Sequence, residues 1–97
     1  MTSAILASLE KTSADRLDYD VDYSKWLTED DLIVSANVTI NDIEVTFVAD
    51  TIEVSDQTIR VWMAGGLDGE AAEVAVFATT AAGRVKEARF FLTIKDS

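Results

Sequence analysis

Acidic side chains at alternate positions are the residues of this chain with the clearest potential for chemistry. Asp18, Asp20 and Asp22, followed by Glu29, have the spacing of ligand positions 1, 3, 5 and 12 in the calcium loop of an EF-hand. The sixth position of that loop requires glycine for its sharp bend, and this chain has Tyr23 there. Alternating aspartates on the solvent face of an edge strand explain the same spacing, so we predict a strand and no metal site.

Two residue types that commonly carry catalysis are missing from the sequence. The chain contains no Cys and no His, which removes the thiolate nucleophile, the commonest general base and the commonest transition-metal ligand. The adjacent carboxylates Asp30 and Asp31 lie in a polar loop without catalytic partners nearby. The glycine-rich segment 64–69 lacks the lysine and the following helix of a phosphate-binding loop. We therefore predict a protein that is not an enzyme and has no cofactor.

The charge of the chain limits its partners. Its formal net charge is −10 over 97 residues, and such a surface repels phosphate backbones and anionic lipid. We predict no nucleic-acid and no membrane partner, and no apolar run approaches the length of a membrane span. The acidity serves either solubility or the binding of a partner with a basic face. The basic cluster Arg84, Lys86 and Arg89 is expected to pair internally or at a subunit contact.

The elements that position these residues show a period of two from Leu17 onward. Short apolar–polar alternations follow one another at intervals of about 8 to 12 residues with no helix between them, which is typical of a β-sandwich or barrel. The dipeptide 41–42 predicts a hairpin turn before a strand over 43–49. Trp26 and Trp62 are candidate core aromatics that bridge the sheets. The length predicts a single domain.

The first residues differ from the remainder in composition. We assign residues 1–13 to a flexible N-terminal arm and residues 14–97 to the sandwich domain. Ile5, Leu6 and Leu9 line one face of a short helical turn that no further residues extend. Such an arm is either frayed or ordered on a neighbouring subunit, and in the second case these three side chains are its anchors.

Two aromatic residues are predicted on the outer side of strands. Phe77 and Phe91 fall on the polar side of their alternations, and an exposed apolar patch on a polar face often marks an interface. The alternative is that the opposite sheet or a loop covers them. Both residues are therefore candidate interface residues.

Several short motifs, in a fixed order, resemble a family of small virion proteins of tailed bacteriophages. The motifs that carry the resemblance are residues 14–27, 31–33, 61–66 with Gly69, and 79–84. The resemblance implies an immunoglobulin-like, or fibronectin type III-like, antiparallel β-sandwich of about seven strands. It also implies fold-defining roles for the positions that match the family pattern: Tyr19, Trp26, Trp62, Gly65, Gly66, Gly83 and Arg84. The chain departs from the pattern at 35–39, which lacks a Trp, and at 71–74, which lacks an aromatic residue.

The function that the resemblance implies is structural. Proteins of this family are described as fibre-to-tail adaptor, neck or accessory components of the particle. The expected partners are other virion proteins, with self-association into a homo-oligomer or ring, and the expected location is the virion, assembled in the cytoplasm of the bacterial host. The alternative is a receptor- or carbohydrate-binding module on the exterior of the particle, for which exposed Trp26 and Trp62 would supply the stacking rings. An enzyme or an inhibitor is a weaker third hypothesis.

Overall fold

A computed structural model of the chain describes residues 5–96, with side chains from residue 8 onward. Within this range there are seven strands and no helix, and hence no helix that is long and apolar enough to cross a membrane. The strands are β1 Ile5–Lys11, β2 Leu17–Asp22, β3 Ile33–Ile40, β4 Val48–Val54, β5 Thr58–Ala64, β6 Ala71–Thr80 and β7 Val85–Ile94.

The strands form two sheets. The large sheet has the order β1-β7-β6-β3 and the small sheet the order β2-β5-β4. The prediction of an all-β sandwich of about seven strands is confirmed. One pair departs from the predicted antiparallel arrangement, because β1 runs parallel to β7. That the sandwich is of the immunoglobulin-like type stays a prediction, which the strand order supports. When β2 to β7 are lettered B to G, the two sheets contain strands B-E-D and C-F-G, which is their order in an immunoglobulin domain.

The core lies between the sheets, where the inward-facing positions of alternating strands meet. In β5, Ile59, Val61 and Met63 are completely buried, while the residues between them face outward. Val74 and Val76 of β6 face them from the large sheet and are equally inaccessible. Because side chains of a strand alternate between its faces, the period of two in the sequence is sufficient to place these residues.

Strand β1 lies in the segment that the sequence assigns to a flexible arm. Its residues pair with β7 from Ile5↔Arg89 to Lys11↔Ile94. Leu9 packs against the core, whereas the side chains of Ile5 and Leu6, the other predicted anchors, lie outside the described side chains. The strand was missed because its mixture of small, apolar and charged residues has no clear period of two. The flexibility of residues 1–13 stays a prediction.

The connection between β3 and β4 also differs from expectation. The predicted hairpin at 41–42 is wrong, because β3 and β4 belong to different sheets and residues 41–47 cross from one to the other. Ile43, on the apolar side of the predicted strand 43–49, is fully exposed at 101%, and pairing with β5 starts only at Val48. Alternation of apolar residues does not distinguish a strand from an extended crossover, which explains the error. Phe47, at the end of the crossover, is fully buried.

One glycine of the predicted motif is required where two parts of the core meet. Gly66 has φ of +101°, and a Cβ added there would lie 2.8 Å from Cγ1 of Ile94 and 3.2 Å from Cβ of Phe47. A side chain at this position would meet both the strained backbone region and the packed core. Gly83 also has a positive φ, +87°, but a Cβ there meets no atom within 4 Å. Gly83 is needed for its turn alone.

Candidate protein-interaction site

The outer face of the small sheet is acidic. Asp18, Asp20 and Asp22 of β2 lie on this face with Glu53 of β4, and we call these four residues the acidic face. Arg60 of β5 donates from Nε to Oδ1 of Asp20 at 2.8 Å, and its Nε lies 3.2 Å from Oδ2 of Asp18. Pairing with a guanidinium lowers the pKa of Asp20, so that this carboxylate stays charged in mild acid.

The calcium-loop spacing forms no loop in the structure. Asp18, Asp20 and Asp22 belong to β2, which among the described strands pairs with β5 alone and is therefore an edge strand, as the strand interpretation of the spacing predicts. The Asp22 carboxylate accepts a hydrogen bond from the backbone N–H of Ser24, which lowers the pKa of Asp22. Among residues 5–96, no group of three or more Asp or Glu side chains is arranged to hold a metal ion.

Trp62 lies on the acidic face, not in the core. Its strand neighbours across the sheet are Asp18 and Thr51. The guanidinium of Arg16 lies 4.4 Å from the centroid of its ring, and its indole Nε1 donates to Oε1 of Glu53 at 2.7 Å. The prediction that Trp62 bridges the sheets is therefore wrong. The alternation of β5 already placed it opposite the core residues, and only its size suggested burial.

Trp26 and Arg84, distant in sequence, meet at the end of the sandwich. The Arg84 guanidinium lies 4.3 Å from the Trp26 ring, and the same ring packs edge-on against Tyr23 at 6.4 Å between centroids. Trp26 is half-buried and packs against the core. A guanidinium thus occupies one face of each tryptophan, which removes that face from stacking on a sugar and weakens the carbohydrate-binding alternative.

Tyr19, another motif residue, faces the core from β2. Its ring packs on Phe90 of β7 with the centroids 5.4 Å apart, so it contacts both sheets. Burial raises the pKa of the Tyr19 hydroxyl, and this oxygen has no hydrogen-bond partner among the described residues. Tyr19 therefore fits a structural role. The fold-defining roles of all the motif residues stay predictions.

The outer face of the large sheet carries the other candidate interface residues. Phe77 and Phe91 are half-buried there, so the opposite sheet does not cover them. Arg89 lies between them on the same face and is paired with Glu73 at 3.3 Å and with Glu87 at 3.1 Å. The expected internal pairing of the basic cluster is thus observed for Arg89. The face combines two aromatic rings with a neutralised cation.

A third surface was not found from the sequence. Strands β3 and β4 are edge strands of different sheets and lie next to each other on one side of the sandwich. The side chains of these two strands that face the opposite sheet are apolar and incompletely buried. We call the surface that they form the seam, and its residues are Ala36, Val38, Ile40, Ile52 and Val54. The alternation indicates which side chains face inward, but it gives no information on which strands lie at an edge.

A buried lysine ties the N-terminal strand to the loop that contains the motif glycines. Lys11, at the end of β1, is 3% exposed. Its ammonium donates to the backbone carbonyls of Thr12 at 2.8 Å, Asp15 at 2.9 Å and Gly65 at 2.6 Å. These bonds use all three donors of the ammonium group. Lys11 holds the segment before β2 against the loop after β5.

These features define a small β-sandwich whose two outer faces carry charged and aromatic side chains. The family model described as "Podophage GP4 fiber-tail adaptor protein gp77" matches residues 11–93. The chain therefore belongs to this family of podophage fibre–tail adaptor proteins, which confirms the resemblance to small phage virion proteins. A comparison with curated proteins found no match.

Proposed function

We propose that the chain is a non-enzymatic fibre-to-tail adaptor of a podophage particle, which joins virion proteins through surface contacts. The family match over residues 11–93 carries this proposal. The distribution of surface residues supports it, because the described part of the molecule presents an acidic face, an aromatic face and an apolar seam of the kind that protein partners bind.

An adaptor must contact two partners at once, and the sandwich provides two outer faces that point in opposite directions. The acidic face, with Trp62, covers the small sheet, and the face with Phe77 and Phe91 covers the large sheet. Burial of aromatic side chains contributes strongly to protein interfaces. The two faces differ in charge and composition, so two different partners would be distinguished.

Assembly in the particle follows from symmetry. Tails are built as rings, and an adaptor on a ring is itself present in several symmetric copies, as a homo-oligomer or on a symmetric partner. The net charge of −10 disfavours nucleic acid as a partner. The location is the virion, with assembly in the cytoplasm of the bacterial host and without a cofactor.

Reconstitution tests this function. Particles are grown from a phage whose copy of this gene is deleted, purified, and mixed with purified fibre protein in the presence or absence of the purified chain. We expect particles without the chain to lack fibres in electron micrographs and the added chain to restore them. If particles of the deletion phage carry as many fibres as wild-type particles do, the adaptor function is refuted.

A further inference from the structure

Strand β4 is an edge strand with a free side. It pairs with β5 on one side, and within the described residues no strand pairs with its other side. Six of its seven residues are exposed. A free edge presents unpaired backbone N–H and C=O groups, which are a template for an added strand.

The side chains of β4 make this edge apolar. Ile52 and Val54 are opposite the fully buried Val61 and Ile59 of β5 and so face the other sheet, yet they are 39% and 41% exposed. The seam that they form with β3 is therefore open to solvent on the side where another strand would lie. Apolar residues that face inward but stay accessible indicate a surface that is covered in an assembly.

The usual protection of an edge strand is missing from the second half of β4. Natural edges carry lysine, proline, a bulge or an inward-pointing charge that prevents pairing. The register of β4 is irregular between Ala49 and Thr51, but residues 51–54 pair regularly with β5. This stretch contains no Lys and no Pro, and its one charge, on Glu53, lies on the outer face. Residues 51–54 are thus suited to accept a strand.

The charges near this edge indicate the chemistry of the strand that would bind. The carboxylates on β4 and its flanking connections are Asp42, Glu44, Asp50, Glu53 and Asp56. Asp50 is paired with Arg16 at 2.8 Å, and Glu53 accepts a hydrogen bond from Trp62 and lies opposite Arg60 in the register. The five carboxylates outnumber these two arginines, so the edge is acidic. A second copy of the chain would bring the same carboxylates and its own net charge of −10 to the edge. Electrostatic complementarity therefore favours a basic segment over a second copy.

We propose that β4 accepts an extended segment of another virion protein in which apolar and basic residues alternate. The segment adds a strand to the small sheet beside residues 51–54. Its apolar side chains fill the seam against Ile52 and Val54, and its basic side chains lie on the outer side near Glu53. That the partner is a virion protein rests on the proposed adaptor function; the chemistry of the edge does not.

A synthetic peptide tests the edge directly. The probe is a capped seven-residue peptide in which lysine and valine alternate, and its control is a peptide of the same composition with the valines in one block. We expect calorimetric titration to show that the alternating peptide binds more tightly by about tenfold or more. Equal affinity of the two peptides would mean attraction by charge alone and would overturn the proposal, as would the absence of binding by the alternating peptide.

Two matched variants locate the binding site. Val54→Lys puts a charge into the seam, whereas Val85→Lys makes the same change at a strand residue, 61% exposed, outside the seam. We expect Val54→Lys to weaken binding of the alternating peptide by about tenfold or more and Val85→Lys by less than about twofold. Val54→Thr, which retains the branched shape, is expected to weaken binding severalfold without loss of folding. Equal effects of the two lysine variants would contradict strand addition at β4.

Two further results separate this proposal from the adaptor function. If sedimentation shows a dimer of the wild-type chain that Val54→Lys dissociates, a second copy occupies the edge and the proposal is wrong. If the Val54→Lys chain restores fibres to particles of the deletion phage as well as the wild-type chain does, docking of a virion protein on β4 is refuted while the adaptor function stands. If the wild-type chain itself restores none, the adaptor function fails, and the peptide titration still decides the chemistry of the edge.

Discussion

Lys11 shows how one buried charge holds the N-terminal strand in place. Taking an ammonium group out of water is costly unless its donors are satisfied, and here three backbone carbonyls accept from it. The sequence contains no signal for this arrangement, because lysine is among the residues least often buried. Only the meeting of two separate chain segments, residues 11–15 and the loop that contains Gly65, creates the site.

We expect Lys11→Met to lower the free energy of unfolding by about 3 kcal/mol, because the carbonyls that the ammonium satisfies lose their partner. Lys95→Met is the matched control at an exposed position and is expected to change stability by less than about 0.5 kcal/mol. Guanidinium chloride unfolding measures both. Equal stability of the two variants would mean that the buried ammonium contributes nothing.

Gly66 provides a second prediction at the scale of a residue. Gly66→Ala introduces a Cβ 2.8 Å from Ile94 at a φ of +101°, and we expect a loss of about 3 kcal/mol from strain and overpacking together. Gly83→Ala has the strained φ of +87° and open space, so it isolates the backbone cost, about 1 kcal/mol. The difference between their unfolding midpoints in denaturant reports the packing at Gly66. A Gly66→Ala chain as stable as Gly83→Ala would contradict that packing.

Among the elements, strands with a regular period of two could be predicted from the sequence, and the two irregular regions could not. β2, β5 and β7 each have apolar residues on one face, which determines both their existence and their orientation. β1 lacks the alternation, and residues 41–47 show it without forming a strand. A single sequence also does not indicate which strands lie at the edge of a sheet. The open seam beside β4 could therefore be found only in the structure.

Strand β1 is the element whose contribution is most directly measurable. Removing residues 1–13 deletes the pairing with β7, the Leu9 contact and the bonds of Lys11. We therefore expect the shortened chain to lose more than about 3 kcal/mol of stability in denaturant unfolding. A loss below about 0.5 kcal/mol would show that the segment is the flexible arm that the sequence suggests. Deleting residues 1–4 alone is the control for a change of chain length.

At the scale of the whole molecule, charge governs how stability depends on pH. Ion pairs and hydrogen bonds lower the pKa of several carboxyl groups below the ordinary value of 3.8, including Asp20 beside Arg60 and Asp50 beside Arg16. A hydrogen bond from the Thr12 backbone similarly lowers the pKa of Asp15. Because these pKa values are lower in the folded chain than in the unfolded chain, the folded state binds fewer protons in acid. Their stabilisation is complete above the unfolded pKa and is lost as the pH falls through the folded one.

We therefore expect the melting temperature to be nearly constant above about pH 5 and to fall progressively below about pH 4. The measurement is made at about 0.15 M salt, where the Debye length of about 8 Å weakens long-range repulsion within the acidic chain but not contact hydrogen bonds. A melting temperature that rises steadily from pH 5 to pH 2.5 would show that relief of charge repulsion outweighs the paired carboxylates.

The joining of two virion proteins by this chain is the central claim, and crosslinking in intact particles tests it most directly. The 18 Asp and Glu residues offer attachment points for a dihydrazide crosslinker that reacts with carboxylates, and mass spectrometry identifies the proteins attached to each. We predict crosslinks from the chain to a tail protein and to a fibre protein in the same preparation. We also predict that carboxylates of the acidic face are crosslinked to one of these proteins, and Glu73 and Glu87 to the other. Crosslinks to only one of the two, or to neither, would contradict an adaptor between fibre and tail.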